Sequence, residues 1–309
     1  MNVKARLVLL CSVVLSATLT MTSVPVAALD RSGGDFWMYD TSMYMDFMDL
    51  GIAEVTGSVK YSYDGTDTIT VGGTDYGVSV MKIEGNMAGS LIIADVSLVI
   101  AGYSYESKDG IATVKEDVTL LANATMDIGG FAFELLRLTI EQEDTYSPPY
   151  ISGFDPGDTG TGDSWEETVT ATSTFKTLLN DTELVNMTMT NTYDYSFVVA
   201  SSEQEITTPA GTFDTLVLTV TDTGSGDYEK YWVSEKVRNI VKKETWSNGS
   251  SVPSEVLVLS DYKVSNLMIM LIIGAGIGVA VIAVVVLAIV LKRRRAKRTV
   301  APPPPTTPQ

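Results

Sequence analysis

Histidine is absent from all 309 residues. Its absence excludes Ser-His-Asp and Cys-His catalysis, histidine-ligated zinc and the usual general base near neutral pH. Catalysis would have to rest on paired carboxylates, a lysine base or an all-oxygen metal site, and the sequence alone brings no two carboxylates to a defined separation. No cofactor or metal is expected, and the chain is not expected to be an enzyme. Cysteine is nearly absent as well. The single Cys11 sits inside an apolar N-terminal run, after Leu10 where a lipid-attachment signal wants a small residue. Packing, not disulfides, must hold such a chain together. Basic residues are scarce between 29 and 266, where 13 lysines and arginines face 38 acids, an excess of 25 negative charges. That surface repels nucleic acid and anionic headgroups and attracts cations.

Charge is missing altogether from Leu267 to Leu291, and Lys-Arg-Arg-Arg-Ala-Lys-Arg follows at 292–298. A helix of this length, rising about 1.5 Å per residue, crosses the roughly 30 Å hydrocarbon layer. The basic block predicts a cytoplasmic tail over 292–309. At the other end Lys4 and Arg6 precede an apolar stretch, Leu7–Leu19, and the small residues Val26-Ala27-Ala28. This pattern predicts a signal peptide over 1–28, an uncleaved N-terminal anchor being the alternative. The expectation is a type I, single-pass protein of the cell membrane, its N-terminus extracytoplasmic and its bilayer contact made by the C-terminal helix. Gly274 and Gly278 lie one turn apart and form a candidate helix-dimer face, which would allow a homodimer through the anchor, the alternative being that glycine is common in spanning helices for other reasons. Pro302–Pro305 favours an extended tail.

Between these ends the pattern is that of strands. Ser58–Tyr63, Leu91–Ile100, Phe131–Ile140, Phe213–Val220 and Val256–Tyr262 are rich in Val, Ile, Thr, Tyr and Phe. Asp64-Gly65, Gly72-Gly73, Asp109-Gly110, 224–227 and 247–249 punctuate them as turns. Val59, Tyr61 and Tyr63 alternate with Ser58, Lys60 and Ser62, and Leu216, Leu218 and Val220 alternate with polar threonines, which places each apolar set on the core face. Met43, Phe47, Leu50 and Val55 suggest a helix over 40–54, weakened by Gly51. Residues 148–163, with Pro148-Pro149, Pro156 and four glycines, read as a Pro/Gly/Asp linker, and Asp155, Asp158 and Asp163 lack the spacing of a calcium loop.

Similar stretches flank that linker. Thr68–Tyr76 parallels Glu205–Phe213, and Tyr103–Glu116 parallels Tyr231–Glu244. The expected fold is therefore mainly β: two tandem antiparallel β-meander domains, half-barrel or sandwich-like, over 29–147 and 164–265, plus one C-terminal transmembrane helix over 267–291. Pro209 and Gly211 suit a turn, and Tyr231 and Trp232 point to opposite faces of their strand, one into the core and the other over an edge or a cavity.

The run Thr208-Pro-Ala-Gly-Thr-Phe213, then Tyr231-Trp232, then Ile240-Val-Lys-Lys-Glu244 resembles a β-meander of exported prokaryotic envelope proteins marked by P-A-G-T-F, Y-W and V-K. More distantly it is similar to LolA/LolB-type half-barrels. The resemblance covers Ile206–Tyr262, with an echo at 68–116, and implies a curved antiparallel sheet able to cradle an acyl chain. Where the pattern has a glycine, this chain has Arg238-Asn239, and Asn tolerates the left-handed conformation.

Four sequons, at Asn123, Asn180, Asn186 and Asn248, are candidate glycosylation sites, the last in an evident turn. The functional expectation is a membrane-tethered, non-catalytic binding or structural module of the cell envelope, with an apolar ligand or an envelope protein as partner. One alternative is a half-barrel receptor for a lipid or other apolar ligand. The other is a carboxylate-based extracellular hydrolase.

Overall fold

The computed structural model describes residues 31–46, 52–107, 112–128, 130–154, 159–200 and 202–264. They form thirteen strands: β1 Phe36–Asp46, β2 Ile52–Val71, β3 Thr74–Ser90, β4 Asp95–Ser107, β5 Thr113–Ile128, β6 Phe131–Tyr150, β7 Ser164–Leu179, β8 Thr182–Val199, β9 Gln204–Thr208, β10 Gly211–Asp222, β11 Tyr228–Ser234, β12 Asn239–Trp246 and β13 Glu255–Lys263. Each strand pairs antiparallel with its neighbour from β1 to β8, β8 pairs with β10, and β10 continues through β11 and β12 to β13. β13 returns to β1, Phe36 opposite Lys263, so the sheet closes into a barrel of twelve strands with β9 added beside β10.

Period-two sequence places the side chains. On β7, Val169, Ala171, Ser173, Phe175 and Thr177 are buried, whereas Thr168 and Thr174 are exposed. Outward threonines meet their cross-strand partners on β8 through hydroxyl contacts, Thr172 to Thr190 at 3.1 Å and Thr174 to Thr188 at 3.0 Å. The wall is thus apolar inside and polar outside, the order a water-facing barrel requires and the reverse of a lipid-facing one. Val59 and Tyr61 face inward as their alternation predicts, as do Leu218 and Val220.

Inward glycines bend the β2–β4 wall. A Cβ on Gly102 would lie 2.1 Å from the carbonyl oxygen of Asp117, and one on Gly57 2.1 Å from that of Asn86. Only glycine permits so close a strand approach, and such kinks curve a sheet toward closure.

The two ends of the barrel differ. Both ends of the described chain, with the β2–β3, β4–β5, β6–β7 and β11–β12 connections, lie at one end, termed basal here. Fully buried side chains plug it. Trp37 Nε1 donates to the Val237 carbonyl at 2.8 Å, Tyr39 donates to that of Ile240 at 3.1 Å, and Phe154, Trp165 and Phe197 stack in sequence. Arg31 pairs there with the buried Glu106. The other hairpins form the distal rim, where apolar side chains stand exposed: Ile92 at 102%, Phe131 at 71% and Ile52 at 69%.

Several expectations are corrected. The chain does not build two tandem β-meander domains plus a helix: β6 pairs with β7 over Leu138–Ser147 and joins both halves in one closed sheet. The half-barrel or sandwich-like reading and the tandem-repeat domains give way to that barrel. Pro148, Pro149 and Tyr150 belong to β6, and Ile151 and Phe154 are buried, so the first part of 148–163 is packed structure; 155–158 lie outside the described residues. The helix over 40–54 is replaced by β1 and the start of β2, because Trp37, Tyr39, Thr41 and Met43 alternate inward at period two. The single-pass architecture is likewise unsupported: no helix occurs among the described residues, hence none long and apolar enough to cross a membrane, and the stretch 267–291 with Gly274 and Gly278 lies outside them. Arg238, not Asn239, takes the left-handed conformation, with φ of 55°, and Asn239 is buried in β12. The matched stretches 103–116 and 231–244 are hairpins at the same basal end of one barrel.

A single closed sheet unfolds as one unit because each half presents two unpaired edges when separated. Fragments 29–147 and 164–265, produced separately, should show no cooperative thermal transition by circular dichroism, whereas the intact region should show one. Two independent transitions in the fragments would restore the two-domain arrangement.

Candidate functional site

A cavity of about 310 Å³ lies where the short strands β10–β13 end at the distal rim. Inward residues of β6, β7 and β8 form one side: Tyr146, Tyr150, Ala171, Ser173, Tyr193 and Tyr195. These rings form a ladder, Tyr146 to Tyr150 at 5.8 Å, Tyr150 to Tyr195 at 5.1 Å and Tyr195 to Tyr193 at 6.0 Å between centroids. Tyr228 and Trp246 are stacked, with centroids 5.8 Å apart and planes within 6°, but they share the outward face of β11 and β12 with Trp232 and Lys242 and border the opening from outside; Tyr44, 48% exposed, stands at the lip.

Three carboxylates join these rings. Glu229 on β11 accepts from the Tyr150 hydroxyl at 2.8 Å and from that of Tyr231, and its other oxygen is 3.0 Å from Lys243 Nζ, whose side chain is 1% exposed. Asp222 holds the β10–β11 turn, accepting from Gly224 N at 2.8 Å and Ser225 Oγ at 2.9 Å. Asp227 accepts from Asn248 N at 2.7 Å and so ties that turn to the β12–β13 turn. Among the described residues no lysine or arginine lines the cavity or pairs with Asp222 or Asp227.

Burial, reinforced by the negative charge of Glu229, drives the phenols of Tyr150 and Tyr195 upward, and burial followed by the charge of Glu116 does the same for Tyr146. All three are neutral near pH 7. Directly opposite Ser173, buried Asp144 accepts from Gln142. Desolvation raises its carboxyl above the usual aspartate range, with Ser173 and Gln142 opposing. Burial likewise raises Glu106 against the opposing charge of Arg31, and raises Glu167.

Tyr231 is buried in the interior and Trp232 packs on the outer face, its indole donating to Gln204 at 3.3 Å and lying under Lys230 and Lys242. Neither lines the cavity. The sequons do not converge either: Asn123 is partly buried within β5, Asn180 sits exposed in the β7–β8 turn with φ of 48°, Asn186 is exposed on β8, and Asn248 is exposed beside the cavity mouth. Asn248 already donates from Nδ2 to the Ser225 carbonyl at 3.0 Å. Sequence reading missed the tyrosine ladder. Its one legible trace was Tyr193-Asp-Tyr195, two rings at strand period whose shared face the sequence left unassigned.

No group of carboxylates able to hold a metal ion occurs among the described residues. Comparison with protein-family models, curated proteins and solved structures finds no match to the chain. The barrel fold itself suggests a binding or structural module.

The raised carboxylates set the sign of the pH response. For Glu106, Asp144 and Glu167 the proton is held more tightly in the folded than in the unfolded chain. Their contribution is complete below the unfolded value, near about 4, and is lost as pH rises through the raised folded value. Relief of self-repulsion acts in the same direction. The melting temperature should therefore rise as pH falls from about 8 toward about 5, and Asp144→Asn should flatten part of that slope. A melting temperature that falls steadily over this range would refute the assignment.

Removing charge from Glu229 has the opposite consequence. Glu229→Gln leaves the buried Lys243 ammonium without its counter-charge, and denaturant unfolding should show a loss of about 3–5 kcal/mol. A loss below about 1 kcal/mol would mean that the pair is not sequestered from water.

Proposed function

We propose that the barrel is a non-catalytic binding module on the outer side of a membrane, holding a small molecule in the tyrosine-lined cavity. The observation that carries this reading is the cavity itself: a concave site of about 310 Å³ walled by aromatic rings with a few placed polar groups, the composition typical of small-ligand sites. The signal-like N-terminus and the acidic surface support export, and the resemblance of 206–262 to envelope proteins accords with it.

The lining bears on the rivals. An acyl chain would have to bury Asp222, Glu229 and Ser173 against methylenes, which leaves polar groups without water, so a lipid receptor is disfavoured. A carboxylate hydrolase needs two acids free to face a substrate. Here Glu229 is tied to Lys243 and two tyrosines, while Asp222 and Asp227 each hold a turn. The exposed apolar tips of the distal rim, Ile52, Ile92 and Phe131, support contact with an envelope protein at that end.

Filling the cavity tests the proposal. Ala171 is inward and lines the wall, so Ala171→Trp should occupy the space and abolish binding while the melting temperature stays within a few degrees. Native mass spectrometry against a panel of neutral, cationic and anionic small molecules should detect a one-to-one adduct of the natural protein that the variant lacks. Equal adduct formation by both proteins, or none by either, would count against the reading.

A further inference from the structure

The cavity's walls also specify the charge of what it takes, an inference that rests on the binding-module reading above. Rings and acids line it together: Tyr146, Tyr150, Tyr193 and Tyr195 form the wall, Asp222 and Asp227 stand at the mouth, and the Tyr228–Trp246 stack borders the opening from the outer face. We propose that the site binds a small organic cation of the methylated-ammonium type, seated against the aromatic faces with Asp222 and Asp227 as its counter-charges.

Three independent features support this assignment. Aromatic faces carry a negative quadrupole, and several converging rings recognise quaternary ammonium groups, which cannot donate hydrogen bonds. The lining is one-sided in charge: its three carboxylates are balanced inside the wall only by Lys243, which pairs with Glu229, and no arginine or lysine faces the cavity among the described residues. Directly opposite Ser173, the buried Asp144 adds to the negative potential whenever it is ionised. A neutral sugar would use the rings and the acids as acceptors but would gain nothing from uncompensated charge. An anion would be repelled by it.

The strongly acidic surface adds an approach field. An excess of 25 negative charges over 29–266 raises the local concentration of cations of every kind. Selectivity must then come from the rings, because small hydrated metal ions lack the apolar surface that tyrosine faces reward.

The test compares choline with dimethylbutanol, its neutral carbon isostere of the same shape, by isothermal titration into the full-length protein, with a neutral hexose as the third probe. Choline should bind at least about tenfold more tightly than the isostere, with an affinity that falls as salt is added. Asp222→Asn combined with Asp227→Asn removes both charges; each amide oxygen keeps the backbone donor of its turn, Gly224 N and Asn248 N, while the Ser225 hydroxyl must turn to accept from the amide at 222. The paired substitution should weaken choline by about tenfold and leave dimethylbutanol unchanged. Equal binding of choline and the isostere, or insensitivity of choline to the paired substitution, would overturn the cation assignment. If the hexose or another panel molecule binds in an Ala171→Trp-sensitive manner while choline does not, the cation assignment falls and the cavity reading stands. If no probe binds, both fall.

Discussion

The arrangement of the barrel mouth depends on one buried carboxylate. Glu229 reaches from β11 across the interior to Tyr150 of β6, to Tyr231 on its own strand and to Lys243 on β12. Burying a carboxylate and an ammonium together is costly, and their mutual attraction offsets the cost only where further hydrogen bonds occupy the remaining oxygen sites. Two phenols do so here. The same contacts fix Tyr150, and through Tyr150 the position of Tyr195, so an electrostatic node sets the geometry of an aromatic wall.

A second constraint is closure itself. Twelve strands leave more room inside than a small barrel that side chains simply fill. The chain resolves this unevenly. Trp37, Tyr39, Phe154 and Phe197 occupy the basal end, and the inward glycines of β2–β4 let that wall approach its neighbours closely. At the distal end β10–β13 are short while β6–β8 run on, and the space that remains is the cavity. Plug and pocket are two outcomes of one volume constraint, decided by where the largest rings fall along the strands.

Much of the local structure was legible. Alternation in Ser58–Tyr63 correctly gave the inward face of β2, the Gly72-Gly73 and Ser247–Gly249 turns fall between strands, and Tyr231 and Trp232 do part to opposite faces. The global arrangement was not legible. The pairing of Phe36 with Lys263 spans nearly the whole described chain, and nothing in either strand announces the other. The prolines at 148 and 149 look like a boundary in sequence, yet they sit in a β6 whose preceding residues already pair with β7, so the apparent linker conceals continuity. Met43, Phe47, Leu50 and Val55 have near-helical spacing across 40–54, but the closing sheet needs 40–46 and 52–54 as strands, and tertiary pairing overrides that weak local signal; 47–51 lie outside the described residues. The cavity escaped detection for the same reason: its tyrosines come from four strands, β1, β6, β8 and β11, and only closure brings them together.

The interior carries an imbalance that links the site to the surface. Glu106, Glu116, Asp144, Glu229 and Glu255 are buried, while Arg31 and Lys243 are the cationic side chains set among them with 5% or less exposed. A barrel lined this way resists full ionisation, as the upward displacement of Glu106 and Asp144 reflects. Two responses relieve it: protonation from within or a cation from without. The first stabilises the fold as pH falls. The second gives a bound cation a share of the folding free energy, since a ligand that binds only the closed barrel stabilises it by mass action. Acidity that would be a liability in a sealed core thus becomes a source of affinity where the wall is open, and the wall opens at the distal rim beside Asp222 and Asp227.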